Sequence, residues 1–231
     1  ERSQALDLTD FLNRGFSSVN INHAQNNPLQ PDVNFRGFTA SPLLGLPQGL
    51  SVYQNGVRIN EPFGDTVNWD LLPLSAISSI QMVGGANPVF GLNSLGGALS
   101  LKTKTGFDFS GVEAQLQGGS FGRMLGSLQY GTAGETFGFY GNVDYFEEDG
   151  WRDFSASEAL RFLGVFSARA SEDSELNVTV SAGETDLRGN GSSPVELLAI
   201  DREQVFTHPD ITENSQQMLI VDGRHRLSDT L

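Results

Sequence analysis

Ser94 stands in the run Gly91-Leu92-Asn93-Ser94-Leu95-Gly96-Gly97, and a serine among glycines raises the question of acyl transfer. A nucleophile elbow needs small residues two places before and after its serine so that the chain can turn sharply. Leu92 fills the first of those places, and the lysine of a phosphate-cradling loop is missing too. The glycines therefore read as structural. His23, His208 and His225 are scattered without i, i+4 pairing, and the chain has no cysteine, so nitrogen and sulfur ligands for a metal do not assemble; the expectation is no metal site and no cofactor. Glu147, Glu148, Asp149 and Asp153 could offer oxygens to calcium, but their spacing is not that of an EF-hand, and a solvated acidic loop beside Trp151 and Arg152 is the simpler reading. Binding chemistry remains. Between Asn60 and Trp69, the side chains of Phe63, Asp65, Asn68 and Trp69 supply apolar, anionic, amide and aromatic groups, the mixture of a recognition pocket. Core packing of Phe63 and Trp69 is the competing reading.

The elements that must position these residues are short. Leu6, Leu8, Phe11 and Leu12 predict a helix capped by Asp7 or Thr9, and Val19 and Ile21 alternate behind it. Ser51–Tyr53 and Val57–Ile59 flank Asn55-Gly56, the turn dipeptide of a tight hairpin. Leu74 to Val83 predicts a short helical turn passing into a strand that Gly84-Gly85 ends, and Ala98, Leu99 and Leu101 predict one further buried strand.

From Phe107 onward the pattern becomes period two. Val112, Ala114 and Leu116 alternate with Glu113, Gln115 and Gln117. The same alternation recurs around Met124–Tyr130, Phe137–Tyr145, Phe162–Ala168, Leu176–Ala182 and Leu219–Leu227. Six segments of about 9–11 residues fit tilted strands crossing a bilayer. Short turns are expected at 132–135, 171–174 and 228–230, with long connections at 147–157 and 185–213; the short turn at 119–122 breaks that rhythm. Tyr145 and Trp151 suit an aromatic belt at the membrane boundary. The long second connection holds an apolar patch, Val195, Leu197, Leu198 and Ile200, between Pro194 and Pro209; a short helix over a barrel mouth and a self-packed loop are both open readings.

Composition narrows the classes. The 231 residues carry 14 basic and 28 acidic side chains, a formal charge of −14, which argues against nucleic-acid phosphate as a partner. No run approaches the roughly 18 apolar residues of a membrane helix, while a mean hydropathy near neutrality is what alternating lipid-facing and lumen-facing positions produce.

The ordered series Arg36-Gly37-Phe38, Gly56-Val57-Arg58, Asn87-Pro88-Val89-Phe90-Gly91, Gly96-Gly97-Ala98-Leu99-Ser100 and Thr103-Lys104 closely resembles the plug domain of TonB-dependent outer-membrane receptors. The resemblance implies a mixed α/β plug over residues 1–106. Over 107–231 it implies the first six or so antiparallel strands of a transmembrane β-barrel, a fragment of a presumed barrel of about 22 strands, since six cannot enclose a plug. It implies a receptor in the bacterial outer membrane that imports a scarce ligand such as a ferric siderophore. Its partners are then TonB, acting on a TonB box upstream of Glu1, the imported ligand and outer-membrane lipid; it is not an enzyme. Arg36, Gly37, Gly56, Gly91, Gly96 and Gly97 are its plug-motif residues, and the segments after Phe38 and Arg58 become the plug apex, which places Phe63, Asp65, Asn68 and Trp69 toward ligand. Asn55 stands where the family has an acidic turn residue. Gln81 and Gly84 replace a glutamate and an arginine that help seat the plug in relatives. A passive porin-like or surface-interaction barrel without TonB coupling is the alternative, and a soluble all-β protein is a further rival because sandwiches also alternate.

Overall fold

The computed structural model describes residues 5–171, 173–208 and 210–227. Helix α1 (Leu8–Gly15) starts at Asp7, whose carboxylate accepts from the Asp10 amide and so satisfies an orphan donor of the first turn. Leu8 and Leu12, one turn apart, bury the same face. Strands β1 (Val19–Asn22), β2 (Asp32–Phe35) and β3 (Phe38–Ala40) follow as an antiparallel sheet in chain order. The β2–β3 link is Arg36-Gly37 alone, with φ of 50° and 87°; two left-handed residues make the turn whose twist matches that of paired strands.

A second sheet holds β4 (Leu50–Gln54), β5 (Val57–Arg58), β6 (Ile77–Gly84) and β7 (Gly97–Thr103) in the order β5-β4-β7-β6. β4 and β7 run parallel and the other pairs antiparallel. The Asn55-Gly56 hairpin forms as expected, at φ of 48° and 82°, and a single 3-10 turn at Leu74–Ala76 feeds β6. β4 and β7 sit inside the sheet and read as near-continuous buried runs. Val52, Leu99 and Leu101 join Leu8, Leu12, Val33 and Leu50 in one core.

The rest of the described chain is a six-stranded meander, each strand antiparallel to its chain neighbours: β8 (Gly111–Gly118), β9 (Met124–Ala133), β10 (Phe137–Glu148), β11 (Ser157–Ser171), β12 (Ser174–Gly189) and β13 (Asp210–His225). One face carries Leu128, Val143, Phe162, Phe166 and Val180, all exposed; the other carries Gln129, Asn142, Ser167, Thr179 and Thr185, all buried against the first domain. All six alternating segments are strands.

Their extents differ from expectation at one end. β11 begins at Ser157, β12 runs to Gly189 and β13 starts at Asp210, so the long connection is 190–209, not 185–213. Glu184, Asp186, Glu213 and Ser215 place polar groups on the outward face there, and without an apolar face the alternation ends before the ladder does. That connection contains helix α2 (Val195–Ile200). The turn expected at 228–230, like Pro209, lies outside the described residues.

Candidate functional site

The three loops that precede β4, follow β5 and join β6 to β7 leave the same end of the plug sheet, because β4 and β7 start there and β5 and β6 finish there. Asn60 fastens the middle loop. Its Oδ1 accepts from the Val52 amide at 2.8 Å, while Nδ2 donates to the carbonyls of Leu50 and Asp65 at 3.1 and 3.2 Å. A side-chain amide thus continues the β4–β5 ladder past its last backbone pair.

Asp65, at φ 56°, is held by this frame against Arg58, with Nη2 to Oδ1 at 2.7 Å. Its second oxygen accepts from Asn93 Nδ2 at 2.6 Å, and Arg58 Nη1 donates to the Leu92 carbonyl at 2.9 Å. The middle loop is therefore tied to the β6–β7 loop by charge-assisted bonds. Ser94 bonds Ser51 and the Phe90 carbonyl, a fastening role for a residue whose surroundings had suggested a nucleophile.

The four residues singled out from sequence separate. Phe63 projects outward and Asp65 lies at the loop junction, whereas Trp69 is in the plug core, its indole N–H directed to the Ala40 carbonyl at 3.4 Å. Asn68 donates to Glu61 at 3.1 Å. The motif glycines have individual causes. Gly97 is at φ 131° and a Cβ there would run into the Val83 carbonyl of the neighbouring strand β6, while a Cβ on Gly96 would enter the Phe38 side chain, so Gly96 lets the Arg36-Gly37 hairpin lie close against the sheet. Gly91, at φ 73°, closes the 3-10 turn Pro88–Phe90.

Where the charges of Gln81 and Gly84 are missing, polar residues seat the plug on the wall. Asp70, fully buried, accepts from Thr185 Oγ1 at 2.7 Å and Asn214 Nδ2 at 2.9 Å. Ser75 donates to Asp144 at 2.5 Å and accepts from Asn142 at 2.9 Å. Asn55 reaches Thr179 at 3.1 Å, and Asn27 reaches Ser157 at 2.8 Å. Lys104 donates to Gln129 at 2.8 Å; burial holds its ammonium below the ordinary lysine value, opposed by the charge of Glu113. Clefts of about 570 and 600 Å³ run along this seam. None of these partners has a pattern in sequence; each is a lone polar residue that becomes legible only when the two domains meet.

The seam also orients the plug. Asn55 and Lys104, at the end opposite the three loops, bond Thr179 and Gln129 in the half of the wall nearer the short connections of β9 to β10 and β11 to β12. The three loops thus face the long connections at 149–156 and 190–209. Arg152 joins those two connections, donating to Gly191, Ser193 and Gln204. The acidic cluster disperses rather than converging: Glu148 takes both bonds of Arg123, at 2.8 and 2.9 Å, and Glu147 accepts from Tyr145.

Residues 1–98 match the TonB-dependent receptor plug domain family. Solved structures share the whole arrangement. The ferric citrate transporter FecA in its unliganded form superposes with a TM-score of 0.75 at 16% identity, covering 98% of this chain and 36% of that one. The FrpB iron transporter from Neisseria meningitidis gives 0.71 at 14%, covering 98% and 37%. The copper transporter OprC gives 0.66 at 17%, covering 81% and 30%. The chain thus spans about a third of the length of these structures, and the likeness is one of fold. Residues 1–98 thus carry the plug domain of TonB-dependent receptors, seated on an antiparallel meander whose outward face is apolar.

Proposed function

We propose that this chain is the plug, residues 1–106, and part of the barrel wall, from 107, of a receptor that imports a scarce small ligand at the expense of energy delivered by TonB. Ligand meets the three plug loops, with Phe63 and Asp65 at their junction, on the side of the long connections; TonB acts from the short-turn side, and outer-membrane lipid covers the apolar outer face. Ferric siderophores are the type case, in keeping with ferric citrate for FecA. The chemistry asked of the protein is a ligand-biased rearrangement with no covalent step, so ligand must bind the seated and the displaced plug with different affinity.

The observation that carries this reading is the seam. The main core of the plug lies within it, and the contacts between plug and wall combine hydroxyl, amide and carboxylate pairs centred on Asp70, Ser75, Asn55 and Asn27 with two small apolar clusters, Leu29 against Phe146, Ala159 and Leu187, and Ala76 against Tyr140, Leu163 and Val165. Such a joint can open with the main plug core left closed, at the cost of wetting the two small shared clusters. Uptake by the intact gene in TonB-intact and TonB-deleted hosts tests it. The expected result is accumulation of a ligand only with TonB; accumulation indifferent to TonB identifies a passive channel instead.

A further inference from the structure

We infer that the ligand of the plug loops is an uncharged molecule presenting an apolar face, and not an anionic chelate; this rests on the import reading above. The loop 41–49 and the loop 85–96 contain no charged residue. They expose instead Leu44, Val89, Leu92 and Leu95, and the middle loop exposes Phe63, each between 60 and 86% accessible. A soluble surface seldom gathers large apolar side chains in this way without a partner to cover them.

The loops form one surface. A Cβ on Gly64 would meet the Leu44 side chain, and the Arg58–Asp65–Asn93 bonds draw Phe63, Leu92 and their neighbours together. Each charged side chain near the loops already has a partner. Arg58 is neutralised by Asp65 at 2.7 Å, and Glu61 accepts from Asn68. Arg36 lies over the Phe35 ring, 5.0 Å from its centroid. An anionic ligand seated here would have to compete with Asp65 for Arg58 and would leave a carboxylate without its cation. An apolar face only has to displace water from side chains that are already exposed. In the long connection at the same end, Ile200 of α2 and Phe206 are also exposed.

The test uses the full-length receptor in its native membrane and radiolabelled probes: an acyl-bearing uncharged ferric tris-hydroxamate, hexadecane, ferric citrate and ferric tris-catecholate. Expected is TonB-dependent uptake of an uncharged probe alone, with half-saturation raised about tenfold by Leu92→Asp or Phe63→Asp, since each removes a buried apolar contact. Both residues project outward, so surface abundance of the variants should equal that of the parent. A Leu92→Cys variant, unique within a segment that has no cysteine, should react with a membrane-impermeant maleimide and be protected by the transported probe. TonB-dependent uptake of the anionic chelates alone, or failure of Leu92→Cys to react, overturns the ligand class and leaves the import reading intact. Uptake of an uncharged probe without TonB overturns the import reading while keeping the ligand class, and no uptake of any probe overturns both.

Discussion

In the plug, Val52, Leu99 and Leu101 are sealed inside, whereas in the wall the sealed face mixes Gln129, Asn142, Ser167 and Thr179 with Tyr140, Leu163 and Val165, and it is Leu128, Val143, Phe166 and Val180 that face out. One chain thus follows two solvent rules, divided by the connection between β7 and β8. The plug satisfies itself as a water-soluble domain does, by burying apolar area. The wall turns an apolar face outward, the pattern of a barrel wall in hydrocarbon, and packs its inner face against the plug. The same substitution should therefore have opposite consequences on the two sides of that connection.

The largest expected effect is in the plug core. Leu101→Ala should cost about 2–5 kcal/mol through lost burial and the cavity left behind. Calorimetry of the full-length receptor should show a lowered plug transition with the barrel transition unmoved; a shift of both together would mean that the two parts melt as one unit. Next comes an inverted pair in β12. Val180→Arg should cost about 2–4 kcal/mol near the bilayer midplane, while the neighbouring Ser181→Val, facing the plug, should change wall stability little. Urea-titrated folding into lipid vesicles reads both, and equal effects would break the comparison.

Asp70→Ala should cost the seam about 1.5–3 kcal/mol, the range for hydrogen bonds to a charged group. Its signature is leakage: cells should become sensitive to a bulky antibiotic excluded by the parent, with Asp70→Asn intermediate because an amide still accepts from Thr185. The smallest effect is expected at the outer face. Phe137 and Phe166 stack with centroids 5.7 Å apart, and a double-mutant cycle through Ala should give a coupling of about 0.5–1.5 kcal/mol, absent if lipid replaces the contact fully.

Much of this architecture can be read directly from the residues. Period-two runs locate all six wall strands because one face of each must be apolar, and Asn55-Gly56 locates a hairpin because both positions need positive φ. Arg36-Gly37 makes the same turn without that signal, since arginine carries no turn preference and the β2–β3 ladder and the close packing of Phe38 against Gly96 set it. Strand ends near the long connections were missed where polar residues occupy both faces. Of the candidate site residues, Phe63 and Asp65 lie at the loop end of the sheet, whereas Trp69 follows the core, drawn in by the 3-10 turn at Trp69–Leu71. Asp70, beside it, gave no signal at all. Its importance comes from Thr185 and Asn214, more than a hundred positions away.

The polar character of the plug seat bears on how fast it can be undone. Separating two apolar surfaces requires opening a dry gap against the cohesion of water, and the cost grows with the whole area at once. At Asn55, Ser75 and Asn27, by contrast, each partner lost can be replaced by a water molecule as it leaves. Parting can then proceed one bond at a time, with solvent serving as lubricant. A pull on the plug would meet a sequence of small steps at these bonds, with the apolar clusters at Leu29 and Ala76 left as the larger barriers.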